Sequence, residues 1–268
     1  MRMHSLLKYI PSPFDKKIEG RDQEKSIAAN VPVYHVEESD ILPRPLNGLP
    51  TKTGSHWAVV GKTGSGKTRF SLGLLEYYRR LVPKVPRYIL NSTADDMPEV
   101  HAPMTFYGNT PPDTMNDGTY TQVWTPDTDN LDAYNQWMMK ILNAMRPAIV
   151  LIDEVASLTD NSKQIRVLEG HMKLLKQGRK HGITVINETQ ELTRVPTVMF
   201  NQMEYYVQFR INNDITQASA ARRYLDVTKS EYKQPSAPYG FFLKRSGLHT
   251  VKEYRSMNEL FKGKQNVE

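Results

Sequence analysis

Residues Gly61-Lys62-Thr63-Gly64-Ser65-Gly66-Lys67-Thr68 match the phosphate-loop pattern G-x-x-x-x-G-K-[ST] at every defined position. Binding a triphosphate requires many inward-facing donors and little side-chain bulk. Three glycines let the backbone fold back so that its N–H groups face the phosphates. The helix beginning there contributes its positive end, Lys67 a mobile cation and Thr68 a hydroxyl for Mg2+. A second chemical signal lies downstream, where the apolar run Ala148–Ile152 ends in Asp153-Glu154. Carboxylates at a strand's carboxyl edge, facing a phosphate loop, can hold magnesium and polarise a water for attack on the γ-phosphate. Asp153 is the metal-side candidate and Glu154 the candidate base. A third signal is Gln190, which ends the run Gly182–Asn187 and Glu188-Thr189. An amide there can touch both the γ-phosphate and the attacking water.

These residues need strands to end at one edge and helices to cover the sheet. Trp57–Val60 reads as the strand before the loop, followed by a helix with Phe70, Leu74, Tyr77 and Leu81 on one face. Further strands are expected at 87–91, 148–152, 182–187 and 205–211, with short ones near 104–107 and 120–124. Helices are expected over 130–145, 161–180 and 214–225. A hairpin is expected at 239–244 and 249–254. Met138, Met139 and Met145 read as core filler. Such alternation predicts an α/β P-loop NTPase fold, a mainly parallel sheet sandwiched by helices, with the ligand at the strands' carboxyl ends. Three parts are expected: an N-terminal arm (1–54, with a short strand near 31–36), a motor core (55–226) and a basic C-terminal hairpin extension (227–268).

The chain has 268 residues, no cysteine and a net charge of +6. Cysteine content rules out a disulfide framework and thiol chemistry. No apolar run reaches membrane-spanning length, and the segment from Met1 to Lys8 is too short and too soon charged for a secretion signal, so a soluble, cytoplasmic protein is expected. Charge is unevenly placed. Residues 91–139 contain eight acids and no Lys or Arg, leaving about +14 for the rest of the chain. That balance suits a polyanionic partner and equally a solvated surface. The seven histidines are scattered without metal-ligand spacing.

The stretch Gln177-Gly178-Arg179-Lys180-His181-Gly182 through Thr189-Gln190, followed by Val195-Pro196 and the strand at 205–211, resembles the HerA–FtsK superfamily of ring-forming DNA translocases. Within it the sequence is most similar to genome-packaging ATPases of tailless icosahedral double-stranded DNA viruses and poxvirus-like viruses. The resemblance covers about 56–225 and implies an added catalytic strand between the loop strand and the neighbours of the Asp-Glu strand. It implies ATP and Mg2+ as ligands, with Lys67 and Thr68 on phosphate and metal, Asp153 on metal, Glu154 on water and Gln190 as γ-phosphate sensor. It also implies a homo-oligomeric ring, a hexamer by analogy, with an arginine supplied in trans. Arg179 matches the Gly-Arg turn, and Arg222, Arg223 and Arg210 are weaker candidates. Further implied partners are double-stranded DNA and capsid vertex or portal proteins, in infected cytoplasm or the virion.

Candidate DNA-contacting residues are Lys163, Arg166, Lys173 and Lys176 on the expected helix 161–180, with the basic residues of 229–268 as a second surface. Three other functions remain open on sequence. They are a cellular or plasmid DNA translocase, a filamentous-phage-type assembly ATPase, and an ATP-binding switch that moves nothing. Glu154 and Gln190 argue against the switch, since a pure binder needs neither.

Overall fold

The structure is a computed structural model and describes residues 49–50, 52–94, 100–127, 130–160, 166–212 and 214–261. The expected N-terminal arm and its strand near 31–36 lie outside these residues, apart from the arm's last few.

Nine strands form one sheet in the order β11-β10-β9-β1-β8-β5-β2-β4-β3. In chain order these are β1 (Trp57–Val60), β2 (Arg87–Asn91), β3 (Pro103–Tyr107), β4 (Thr121–Thr125), β5 (Ala148–Asp153), β8 (Ile183–Thr189), β9 (Tyr205–Gln208), β10 (Phe241–Arg245) and β11 (Val251–Tyr254). Two-residue strands β6 (Thr159–Asp160) and β7 (Arg166–Val167) pair separately. From β3 to β9 every neighbour is parallel, and the terminal hairpin β10–β11 adds antiparallel to β9. The hairpin expected at the end of the chain therefore extends the same sheet.

Helices cover both faces. One layer holds α1 (Lys67–Leu81) and α6 (Met257–Phe261). The other holds α2 (Leu131–Asn143), α3 (Glu169–Gln177), α4 (Thr197–Phe200) and α5 (Ile215–Leu225). This arrangement accounts for the sequence of β5: Ala-Ile-Val-Leu-Ile-Asp is buried throughout because both of its faces meet helices. Alternation then divides the strand, Ile149 and Leu151 packing toward α1 and Val150 and Ile152 toward α2 and α3. Truncating wholly buried Leu151 to Ala would cost about 2–5 kcal/mol.

Helix starts follow local chemistry. Asn130 Oδ1 accepts from Ala133 N–H at 3.0 Å to cap α2, and Asp214 Oδ1 accepts from Thr216 N–H at 2.7 Å to cap α5. The helix expected over 161–180 is shorter, running from Glu169 to Gln177. Before it, Arg166–Val167 pairs antiparallel with Thr159–Asp160, and Leu168 is extended (φ −53°, ψ 139°). Beyond it the chain tightens into a 3-10 turn at Gly178–His181. Arg166 consequently lies on a strand, not on the helix with Lys173 and Lys176. Among the described residues no helix is long and apolar enough to cross a membrane.

Candidate active site

The phosphate loop hangs between the ends of two strands. Gly61 N–H donates to Thr189 O (3.2 Å) at the end of β8, and Lys62 N–H donates to Arg210 O (2.8 Å) just past β9. Gly61 cannot carry a side chain: a Cβ there would lie 2.4 Å from Ser65 Oγ and 2.7 Å from Phe209 Cβ. Gly66, immediately before α1, has φ 97°, a left-handed conformation that other residues adopt only with strain. From this turn α1 begins with Lys67, which is buried, and Thr68.

Strand β8 lies between β1 and β5, which brings three consecutive residues to the loop. Gln190 Oε1 accepts from Thr63 Oγ1 at 2.5 Å, so the amide reaches the loop itself. Thr189 Oγ1 donates to Glu154 Oε1 (3.0 Å), and the Gln190 backbone N–H donates to Glu154 Oε2 (3.0 Å). Ala156 N–H is 3.3 Å from Glu154 Oε1. The expected base is therefore held by three donors from two elements. Its backbone has φ 51°, a conformation that costs a non-glycine residue on the order of 1 kcal/mol or more. Burial raises the Glu154 carboxyl above the usual carboxylate range, against the hydrogen bonds of Thr189 and Gln190 and the charge of Lys67. A base raised in this way is better matched to accepting a proton near neutral pH.

Asp153 ends β5 almost wholly buried. Its carboxylate accepts from Thr93 Oγ1 at 2.5 Å, and its carbonyl accepts from Ser92 Oγ. The sequence reading missed Glu188, which passes there as one polar residue in a strand. It is wholly buried, and its Oε2 accepts from Thr68 Oγ1 at 2.9 Å. Burial, then the neighbouring Asp153, push its carboxyl up to about 7, against the pull of Ser71, Lys67 and Thr68. The Ser71 hydroxyl lies against Glu188 without completing a well-aligned hydrogen bond. Ser65 Oγ, Ser71 Oγ and Glu188 Oε1 are all buried with no well-formed partner in the protein.

The expected magnesium fits these residues. Thr68 could offer a hydroxyl to the ion, and Asp153 and Glu188 bring two hard carboxylates into the same neighbourhood. Among the described residues no group of three or more acids and histidines forms a metal cage. Magnesium usually keeps several waters and binds through one or two carboxylates plus substrate phosphates, so none is needed.

Other expected residues lie elsewhere. Arg179 is exposed in the turn before β8, its guanidinium donating to Gln202 O. Seven strand residues, roughly 20 Å at the usual rise per residue, separate that end of β8 from the loop end. Arg210 lies beside the loop, but its side chain binds Pro235 O (3.2 Å) and Ser236 O (2.9 Å). Arg222 and Arg223 are on α5. Lys173 pairs with Glu169 at 2.5 Å, Lys176 is exposed, and Lys163 lies outside the described residues. At the loop's rim stands Tyr239, half exposed; a Cβ on Gly66 would be 3.5 Å from its ring.

Neither a family model nor a curated protein matches the sequence. Solved structures do resemble the fold. The genome packaging NTPase B204 from Sulfolobus turreted icosahedral virus 2, in complex with AMPPCP, superposes with a TM-score of 0.57 at 14% identity, covering 78% of this chain and all of that one. The pCW3 conjugation coupling protein TcpA, with ATPγS, gives 0.53 at 15%, covering 78% of this chain and 61% of that one. The cytoplasmic domain of the type VII secretion ATPase EccC from Thermomonospora curvata gives 0.52 at 15%, covering 75% of this chain and 25% of that one. The α/β P-loop fold expected from the phosphate loop and the strand–helix alternation is thus the fold this chain has, and it is shared with a viral genome packaging NTPase, a conjugation coupling protein and a secretion ATPase.

Proposed function

We propose that this protein is an ATP-hydrolysing motor that moves double-stranded DNA, and specifically a genome-packaging ATPase of a DNA virus. The observation that carries the reading is a convergence. Lys67-Thr68, Asp153-Glu154 and Gln190 come from three separate stretches of the chain and gather around one phosphate loop. The full-length coverage of the packaging NTPase B204 favours packaging over the coupling and secretion roles, whose proteins this chain covers less completely.

In the proposed mechanism the loop's N–H groups and Lys67 bind the β- and γ-phosphates of ATP. Thr68 and Asp153 would hold Mg2+, which would neutralise charge developing on the phosphoryl oxygens. Glu154 leaves its bonds to Thr189 and Gln190 N–H to orient and deprotonate the attacking water. Gln190, now on Thr63, transfers to the γ-phosphate and reports its loss to β8. The exposed ring of Tyr239 offers a flat apolar face for a purine at the rim.

Arg179 is our trans-acting residue. It lies at the wrong end of β8 for its own loop, so a role in hydrolysis requires a neighbouring subunit's nucleotide. A shared site of that kind demands a heterologous interface that closes into a ring, which we propose to be a hexamer. Lys173 and Lys176, with Lys163 and Arg166, are our proposed DNA contacts, and a capsid vertex or portal is the proposed docking partner.

ATP turnover with and without duplex DNA tests the reading. Stimulation by DNA is the expected result. Nucleotide binding without turnover would identify a switch instead. Mixing Arg179→Ala subunits with Lys67→Ala subunits tests the trans role: restored turnover supports it, and none removes it.

A further inference from the structure

We infer that Glu188 is the positioning residue of the magnesium site, acting through Thr68; this rests on the ATPase reading above. Glu188 lies on β8 opposite Val59 of β1, in the strand that separates the loop strand from the Asp-Glu strand. Its side chain is wholly enclosed, bonded to Thr68 and within electrostatic reach of Lys67 and Asp153.

A threonine hydroxyl has one proton and two lone pairs. The 2.9 Å bond to Glu188 Oε2 uses the proton and so fixes where the lone pairs point. With its proton held inside the protein, Thr68 can offer only an acceptor to whatever occupies the loop, which is what a cation requires. Residues one step behind a metal fix its ligands in this way, and losing one typically lowers metal affinity 10–100-fold.

A purely structural role explains Glu188 poorly. A buried carboxylate beside a second one is costly unless paired and fully hydrogen-bonded. Here Oε1 has no well-formed partner, and neither has the adjacent Ser71 hydroxyl. A glutamine of equal size would fill the space and accept from Thr68 without the second negative charge. What it would not supply is that charge, which becomes favourable when a divalent cation lies across Thr68.

The test separates metal binding from nucleotide binding. Affinity for the non-hydrolysable analogue AMPPCP is measured first without divalent metal. Mn2+ is then titrated into the AMPPCP complex and followed by loss of the free-ion paramagnetic resonance signal. For Glu188→Gln we expect metal-free AMPPCP affinity within about twofold of wild type, and Mn2+ affinity lower by about tenfold or more. Glu188→Met, which removes the acceptor too, should lose at least as much. Thermal melting without ligand checks folding, and Glu188→Gln should melt no lower than wild type. Mn2+ affinity within about twofold of wild type in both variants would overturn the inference while leaving the ATPase reading intact. Failure of the wild type to bind AMPPCP would overturn both.

Discussion

Two buried polar groups on the same sheet show how differently such groups are treated at its two ends. His56 precedes β1 at the end away from the phosphate loop, wholly buried. Its Nδ1 accepts from Val185 N–H (3.2 Å), which leaves Nε2–H to donate to Leu175 O (2.8 Å). Both ring nitrogens are used, and the tautomer is set. Glu188, at the loop end, is just as buried, carries a carboxylate beside Asp153, and has one oxygen without a well-formed partner. Nearby Glu154 has φ 51°, and the Ser65 and Ser71 hydroxyls lack well-formed partners. Burial alone does not distinguish structure from function here. Completeness of hydrogen bonding separates these two groups: His56 is satisfied within the protein, whereas Glu188 keeps one oxygen for polar groups that come with a ligand.

Substitutions at the two ends should therefore fail in different ways. At the loop end, Lys67→Ala should abolish measurable turnover and weaken triphosphate binding by about a hundredfold or more, as when one partner of a buried charge pair is removed. Melting without nucleotide should barely change. A large fall in unliganded stability would mean that Lys67 is structural and would erase the contrast. At the far end, His56→Leu should cost about 2–4 kcal/mol in denaturant unfolding, because a buried carbonyl and a buried N–H both lose their partner. ATP affinity of the folded fraction should be unchanged.

Acid sharpens the same contrast. Burial lowers both His56 and His171 to about 4 from an ordinary 6.5, with the hydrogen bond to Leu175 or Asn187 opposing the shift. The folded state holds both rings neutral while the unfolded chain takes up protons. Their stabilising effect is complete above about pH 6.5 and is lost as pH falls toward about 4. His56→Leu should flatten part of that slope in unfolding measured across the window; an unchanged slope would exclude His56 as a source. The smallest effect is expected at the rim. Tyr239→Ala should raise KM for ATP several-fold, on the scale of about 1 kcal/mol for a ring contact, with kcat unchanged. An unaltered KM would remove Tyr239 from the nucleotide site.

The sequence made the loop legible because its chemistry is local: three glycines, a lysine and a threonine within eight residues. Glu154 and Gln190 were legible because each ends an apolar strand. Glu188 was not. Its neighbours Asn187 and Thr189 are polar as well, and only the register of β8 between β1 and β5 turns its side chain toward Thr68. The helix expected over 161–180 was overextended for a related reason. Ile165, Leu168, Met172 and Leu175 keep helical spacing, yet Arg166 and Val167 pair with Thr159 and Asp160, and a ladder between nearby segments leaves no mark on periodicity. The short helices Thr197–Phe200 and Met257–Phe261 span too few turns to show a repeat.

Turnover of Glu154→Gln at saturating ATP tests most directly whether this end of the sheet hydrolyses what it binds. A general base contributes about 10²–10⁴-fold to rate. The variant should therefore lose at least a hundredfold in kcat, on the order of that lower bound, while binding ATP as wild type does. Turnover within about threefold of wild type, far short of a base's contribution, would contradict the account.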